Sequence, residues 1–171
     1  MLIWAKVLFC ANTGDSRAVL GSYRSGHWQA SPLSKDHKCS DPEERRRIHA
    51  NGGRVATLRG NLPRVYYQDK LEPGLALTRS LGDSAAGHIG VIAEPDVKRV
   101  DLTPSDRFVI VASDGIWDKL SNSEAVSFVG TLMSERTPEQ AARMLVKKAY
   151  SRWGGEAARY MDDLTAVVVY I

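Results

Sequence analysis

Apolar residues near the start of the chain fall in short runs separated by polar turn residues. The β-prone runs cover residues 2–11, 16–23 and 27–30, with turn residues at 12–15 and 25–26 between them. Short runs bounded by Gly, Asn, Asp and Ser are typical of strands. The first part of the chain is therefore predicted to be β structure, with residues 2–11 forming one strand.

Signals for the start of a helix occur at three later points. Asp41 and Pro42 suit the N-cap and the first helical position, and residues 51–53 (Asn-Gly-Gly) form a strong end signal. The other two helices are predicted to begin with capping boxes, Ser121 with Glu124 and Thr137 with Gln140. Three helices are therefore predicted.

The remaining apolar runs complete the predicted fold. Residues 97–102, 108–112 and 164–171 are predicted strands, and the last is so apolar that we expect it in the middle of its sheet. Gly and Pro interrupt the pattern between residues 54 and 74, which predicts an irregular surface segment. Strands followed by helices and a returning strand favour an α+β fold over a wound parallel sheet.

Composition narrows the class of protein. The 171 residues, 43% hydrophobic and 25% charged, are typical of one soluble globular domain, and a net charge of +3 is too small to indicate nucleic acid. Cys10 and Cys39 do not form a close pair, which favours a reducing, intracellular compartment, cytoplasmic or nuclear. The apolar segment 2–11 falls well short of the ~20 residues that span a bilayer, so no membrane association is expected.

Acidic residues lie at the ends of two apolar runs. Asp114 follows the run 108–112, and Asp162 and Asp163 precede the run 164–171. If these strands pair antiparallel, Asp114 and Asp162 meet at the same end of the sheet. Converging carboxylates repel unless a cation lies between them, which indicates a hard metal such as magnesium or manganese.

Each acidic turn also has a simpler interpretation. Alone, residues 113–115 (Ser-Asp-Gly) are typical of a turn after a strand, Asp162 and Asp163 of a solvated strand entry, and residues 14–17 of a hairpin turn. Taken together, three acidic turns beside apolar strands favour the metal site.

Several other residues are interpreted as structural. Trp117 is predicted to pack in the core. Arg17 and Arg79 are predicted to form ion pairs with Asp15 or Asp83, and contact with phosphate is the alternative. The histidines His37, His49 and His88 are expected to cap, to pack or to face solvent. The consecutive arginines Arg45, Arg46 and Arg47 are expected to form a solvated face.

Six segments resemble the metal-dependent serine/threonine protein phosphatases of type 2C, and they occur in that family's order. They are residues 11–20 (ANTGDSRAVL), 35–38 (KDHK), 48–53 (IHANGG), 75–83 (LALTRSLGD), 112–118 (ASDGIWD) and 162–168 (DDLTAVV). The resemblance covers nearly the whole chain.

The resemblance implies an antiparallel β-sandwich flanked by helices, with two core Mg²⁺ or Mn²⁺ ions at one end. By motif, Asp114 and Asp162 correspond to core metal ligands, and Asp15 and Asp118 to the positions of a third, more loosely held metal. Asp163 is an alternative to Asp162, because the family usually has asparagine there. No catalytic side chain is identified in this chain, since a metal-activated water is the expected nucleophile for phosphoserine and phosphothreonine esters of a phosphoprotein substrate.

The chain also departs from the family pattern. Family members carry an Asp-Gly-His-Gly-Gly motif whose aspartate bridges the metals, and an upstream arginine that binds phosphate, and this sequence has neither. Residues 1–171 are therefore expected to be the C-terminal portion of a catalytic domain, with a flap at about 42–74. We expect this portion alone to be weakly active or inactive, and to self-associate or to pair with an N-terminal half. A non-catalytic, pseudophosphatase-like module that binds a protein partner is the alternative.

Overall fold

Strands and helices occupy most of residues 1–58, 62–154 and 161–171, which are the residues that the computed structural model describes. The strands are β1 (Leu2–Trp4), β2 (Val7–Asn12), β3 (Arg17–Arg24), β4 (His27–Pro32), β5 (Gly53–Ala56), β6 (Arg64–Tyr67), β7 (Pro73–Leu75), β8 (Asp96–Asp101), β9 (Asp106–Ala112) and β10 (Ala166–Tyr170). The helices are α1 (Pro42–Ala50), α2 (Asp114–Trp117), α3 (Asn122–Leu132) and α4 (Pro138–Arg152), and a 3₁₀ helix spans Ser84–Ile89. No helix within these described ranges is long and apolar enough to cross a membrane.

The chain divides into two units. The first consists of Met1–Ala11, Ser16–Lys35 and Val97–Ile171, and the second consists of Asn12–Asp15 and Asp36–Asp96.

A four-stranded antiparallel sheet lies at the centre of the first unit. Its strand order is β10-β9-β3-β4, and side chains alternate between its two faces. On one face, Phe108 and Ile110 of β9 pack with apolar residues of α3 and α4, among them Val126 and Leu145. These residues form what we call the helix-facing core.

A second antiparallel sheet, with the order β1-β2-β8, covers the opposite face. Leu8 and Cys10 of β2 belong to the same buried cluster as Leu20 of β3 and Val109 of β9. The layers are therefore sheet on sheet with helices outside, which confirms the predicted α+β antiparallel sandwich.

The predicted helix starts are confirmed. Asp41 accepts hydrogen bonds from the amides of Glu43 and Glu44 at the start of α1. The capping boxes of α3, between Ser121 and Glu124, and of α4, between Thr137 and Gln140, are both complete. Local capping chemistry therefore decides where these helices begin.

The prediction that residues 54–74 form an irregular segment was largely wrong. Strands β5, β6 and β7 form an antiparallel sheet in the second unit, and Val65 is fully buried. This sheet is stabilised by a small apolar cluster that includes Ile48 and Ile89. Gly60, one of the residues behind the prediction, lies outside the described residues.

Two strand predictions also need correction. Residues 2–11 are not one strand, because Ala5 and Lys6 adopt left-handed backbone conformations (φ 48° and 66°) and turn the chain into a β1–β2 hairpin. In addition, β10 lies at the edge of its sheet and not in the middle. Its apolar character reflects the packing of Ala166, Val168 and Tyr170 against the helix-facing core, not pairing on both sides.

Candidate metal centre

The pairing of β9 with β10 brings two acidic segments to one end of the sheet. The strands are antiparallel, and Ala166 pairs with Ala112. Asp114 therefore lies two residues beyond Ala112, the last paired residue of β9. Asp162 and Asp163 lie shortly before the first residue of β10. This confirms the antiparallel arrangement on which the metal-site prediction depends.

Ser113 connects the two acidic segments directly. Its hydroxyl donates to the carbonyl of Asp163 over 2.9 Å and accepts from the amide of Thr165 over 3.1 Å. Its own amide donates to the carbonyl of Thr165 over 3.0 Å. Three hydrogen bonds therefore fix the backbone beside Asp163 against the end of β9.

Gly115 allows this close approach. A Cβ atom at position 115 would lie 2.5 Å from the carbonyl oxygen of Asp163 and 3.2 Å from a side-chain carbon of Leu164. Real side chains do not tolerate such a contact with backbone, so only glycine fits here. The Asp-Gly pair thus combines a candidate ligand with the space that the neighbouring acidic segment needs.

Helix α2 presents Asp114 and Asp118. The amide of Asp118 donates to the carbonyl of Asp114 over 2.7 Å, so the two residues are separated by one helical turn, as predicted. Asp114 is half-buried and Asp118 is exposed. Trp117 is buried as expected, and its indole N–H donates to the carbonyl of Ala112, which attaches α2 to β9.

Asp162 and Asp163 are both exposed. The Asp162 carboxylate accepts from the amide of Asp163 over 2.7 Å through Oδ1. Asp163 takes part in the Ser113 contact through its backbone carbonyl. The choice between these two side chains as a ligand stays a prediction.

Asp15 belongs to the second unit, in the turn that precedes β3. It is half-buried, and the preceding Gly14 is buried with a φ of 121°, which favours glycine. The assignment of Asp15 to a third metal also stays a prediction.

The donor set at this end of the first unit suits a hard divalent cation. Asp114, Asp118 and Asp162 supply only carboxylate oxygens, the ligands that Mg²⁺ and Mn²⁺ prefer. Within the described ranges, however, no three or more His, Cys, Asp or Glu side chains are already grouped in a metal-binding arrangement. The residues thus fit Mg²⁺ or Mn²⁺ by the type of their donor atoms, and not by a grouping that is already formed.

The second unit contains a charged network, centred on the buried Glu44, that the sequence did not predict. Glu44 is 3% exposed, and Arg79 donates to Glu44 Oε1 over 2.7 Å and to Asp96 Oδ1 over 2.9 Å. Arg79 therefore pairs with Glu44 and Asp96, and the prediction that Asp83 is its partner was wrong. Arg79 lies far along the chain from both of its carboxylate partners, so spacing gave no signal.

Arg47 was also misjudged as a solvated residue. Two of its nitrogens donate to the two carboxylate oxygens of Glu44, each over 2.8 Å, and it also donates to the carbonyls of Gly90 and Thr78. Arg45 and Arg46 are exposed, as expected. Burial alone would raise the pKa of Glu44, but hydrogen bonds from Arg47, Arg79 and Thr78 outweigh it and hold that pKa well below its ordinary value.

His37 is fully buried and structural, as predicted. Its Nδ1 accepts from the amide of Gly14 over 3.1 Å, and its Nε2 lies 3.1 Å from Asp96 Oδ2. The Asp96 pKa is lowered, chiefly by the hydrogen bond with His37 and with a further contribution from Arg79. The sequence motifs gave no indication of Glu44 and Asp96, which are connected through Arg79 and His37 to the turn that contains Asp15.

Comparison with known sequences agrees with this geometry. The family model described as protein phosphatase 2C matches residues 1–154. The chain is 40% identical over 168 residues to probable protein phosphatase 2C 12 of Oryza sativa subsp. japonica, covering 96% of this chain and 42% of that protein. It is 38% identical over 170 residues to probable protein phosphatase 2C 73 of Arabidopsis thaliana, covering 97% of this chain and 45% of that protein. The chain thus spans less than half the length of these relatives.

Solved structures show the same fold. A serine-threonine phosphatase 2C from Toxoplasma gondii superposes with a TM-score of 0.84 at 28% identity, over 98% of this chain and 55% of that chain. A C. elegans sex determining protein superposes with a TM-score of 0.77 at 26% identity, over 96% of this chain and 37% of that one. On the family match, the relatives and the shared fold, the chain belongs to the protein phosphatase 2C family.

Proposed function

We propose that this chain contributes the C-terminal part of the catalytic domain of a metal-dependent protein serine/threonine phosphatase. The substrates would be phosphoserine and phosphothreonine in proteins. The observation that carries the proposal is the β9–β10 register, which brings the Asp114 segment and the Asp162–Asp163 segment to one end of the sheet. The family membership supports the same reaction class.

Asp114 and Asp162 would hold the core cations, and Asp15 and Asp118 would hold a third. When bound, Mg²⁺ or Mn²⁺ neutralises charge on the phosphoryl group and activates water as the nucleophile. The chain's own contribution is positional. Ser113 holds the backbone beside Asp163, Gly115 leaves room for it, and α2 presents Asp114 and Asp118 one turn apart.

Mn²⁺ binding followed by isothermal titration calorimetry tests the ligand assignment. We expect Asp114→Asn and Asp162→Asn to weaken binding by ~10-fold or more, since even residues that only orient metal ligands are worth 10–100-fold. Asp101→Asn is the matched control, because Asp101 is exposed and pairs with Arg99 on β8. Equal affinity in Asp114→Asn, Asp162→Asn and Asp101→Asn would overturn the assignment, and a loss in Asp163→Asn alone would transfer the role to Asp163.

The exposed apolar residues on two edge strands support a further part of the proposal. Trp4 on β1 is 74% exposed and Val167 on β10 is 52% exposed. Unpaired edge strands with apolar side chains favour pairing with another polypeptide. The occupant we propose is a segment equivalent to the part of the relatives that this chain does not match.

Activity and light scattering test this part together. The chain alone should show negligible Mn²⁺-dependent turnover of a phosphopeptide, and a separately expressed N-terminal segment of a relative should form a complex with it and restore turnover. Dimers of the chain alone, with no binding of the segment, would identify a second copy as the occupant. A monomer that binds its phosphopeptide without turnover, with or without the segment, would favour the non-catalytic binding module.

A further inference from the structure

The turn Asn12–Asp15, which we call the Asp15 turn, is held mainly by contacts to Gly14. The Gly14 amide donates to His37 Nδ1 over 3.1 Å, and the Gly14 carbonyl accepts from the His37 amide over 3.0 Å. The Asn12 side chain also donates to the Gly14 carbonyl, and the Thr13 hydroxyl donates to the carbonyl of Ala93. One residue, His37, therefore satisfies both backbone groups of Gly14.

These contacts define the state of the His37 ring. A backbone N–H can only donate, so Nδ1 must accept with its lone pair. In the neutral ring the proton then lies on Nε2, which donates to Asp96 Oδ2 over 3.1 Å. The imidazole thus connects a backbone amide beside Asp15 to a carboxylate, with each nitrogen in one defined role.

Asp96 is in turn held by the charged network. Arg79 donates to Asp96 Oδ1 and to the carbonyl of Glu94, and it pairs with the buried Glu44. Thr78 closes the arrangement, because its hydroxyl donates to Glu44 and its amide donates to the carbonyl of His37. His37 is therefore fixed through its ring and through its backbone.

We propose that His37, oriented by Asp96, is a positioning residue that holds the Asp15 turn so that Asp15 can bind the loosely held cation. This inference rests on the proposed metal role of Asp15. Arg79 and Glu44 act on His37 only indirectly, through Asp96.

Two substitutions at position 37 separate the two functions of the ring. In His37→Asn the amide oxygen can reach the place of Nδ1 and accept from Gly14, whereas the contact to Asp96 is lost. In His37→Gln the longer amide can donate to Asp96, whereas the acceptor for Gly14 is lost. The experiment measures Mn²⁺ affinity by calorimetry and the exchange rate of the Gly14 amide by NMR without metal. Circular dichroism melts show that each variant folds.

We expect His37→Gln to speed exchange of the Gly14 amide by ~10-fold, the value of about one net hydrogen bond, and to weaken Mn²⁺ binding by ~10-fold. His37→Asn should stay close to wild type in both measurements. A general loss of stability would affect both variants, so near wild-type behaviour of His37→Asn beside losses in His37→Gln would identify the hydrogen bond from Gly14 as the cause. Equal losses in both variants, or unchanged Mn²⁺ affinity in His37→Gln, would overturn the inference.

Asp15→Asn separates this inference from the proposed function. If Asp15→Asn weakens Mn²⁺ binding and His37→Gln does not, only the positioning inference fails. If Asp15→Asn leaves Mn²⁺ binding unchanged, the metal assignment of Asp15 fails and the inference fails with it. An absence of Mn²⁺ binding by the wild-type chain would have the same consequence.

Discussion

The helix-facing core of the first unit and Glu44, at the centre of the charged network of the second unit, are similarly buried, but they are stabilised differently. In the helix-facing core, Phe108, Ile110 and Leu145 are fully buried among other apolar side chains. In the charged network, Glu44 is 3% exposed and is surrounded by Arg47, Arg79 and Thr78. Apolar burial stabilises the helix-facing core directly. In the charged network, the attraction between the charges has to offset the cost of removing them from water.

The two regions therefore differ in which substitutions they tolerate. An apolar core tolerates exchange among side chains of similar volume. A buried ion network does not tolerate the loss of one partner, because the remaining charges are left uncompensated. Each of the following predictions tests one side of this comparison, beginning with the largest expected effect.

Leu145→Ala should destabilise the protein by ~3 kcal/mol, within the range of about 2–5 kcal/mol for truncating a buried leucine. Leu145 is fully buried in the helix-facing core. Lys147→Ala is the control on the same helix, since Lys147 is exposed, and it should change stability by less than about 0.5 kcal/mol. Urea denaturation measures both. Similar effects in the two variants would show that α4 does not pack on the sheet as described.

Glu44→Gln keeps the shape of the side chain but removes the carboxylate that Arg47 and Arg79 share, which leaves Arg79 paired with Asp96 alone. The cost should be ~2 kcal/mol, less than the 3–5 kcal/mol for a fully buried pair, because both guanidinium groups retain some contact with solvent. Glu139→Gln is the matched control, since Glu139 pairs with Arg143 on an exposed surface and such pairs are worth about 0–1 kcal/mol. A cost for Glu44→Gln no larger than that of Glu139→Gln would show that the Glu44 network contributes no more to stability than an exposed ion pair.

Gly130→Ala tests how tightly the helix-facing core is packed. A Cβ atom at position 130 of α3 would collide with the ring of Trp28 on β4. Overpacking of this kind destabilises a protein by about 1–3 kcal/mol. The higher helix propensity of alanine offsets up to about 1 kcal/mol of this cost, so the free energy of unfolding should fall by ~1 kcal/mol. Gly87→Ala, where no atom lies within 4 Å of the new Cβ, should be neutral or stabilising. Thermal melts distinguish the two.

The pH dependence of stability should differ between wild type and Glu44→Gln. Because the pKa of Glu44 is lowered in the folded state, its contribution is complete above its ordinary value of 4.5 and is lost as pH falls below it. The lowered pKa values of Asp96 and Asp106 act in the same direction. Urea denaturation between pH 7 and pH 3 should therefore show a shallower decline for Glu44→Gln. Parallel curves would mean that Glu44 does not carry this dependence.

Local features of the structure could be predicted from the sequence. The starts of α1, α3 and α4 depend on capping groups within three residues, so Asp41, Ser121 and Thr137 were sufficient to place them. The acidic residues around β9 and β10 could be predicted as one candidate site, because antiparallel pairing of two apolar runs is a simple consequence of their pattern.

Other features depended on contacts that no local pattern contains. The β1–β2 turn uses Ala5 and Lys6, which carry no turn signal, and the edge position of β10 depends on which strands are available to pair with it. The sequence by itself determined the starts of α1, α3 and α4 and the placing of carboxylates at the ends of β9 and β10, because these depend on neighbouring residues. Only the tertiary structure decided that Glu44, Arg79, Asp96 and His37 form one network, because charges far apart in the chain acquire partners only when folding brings them together.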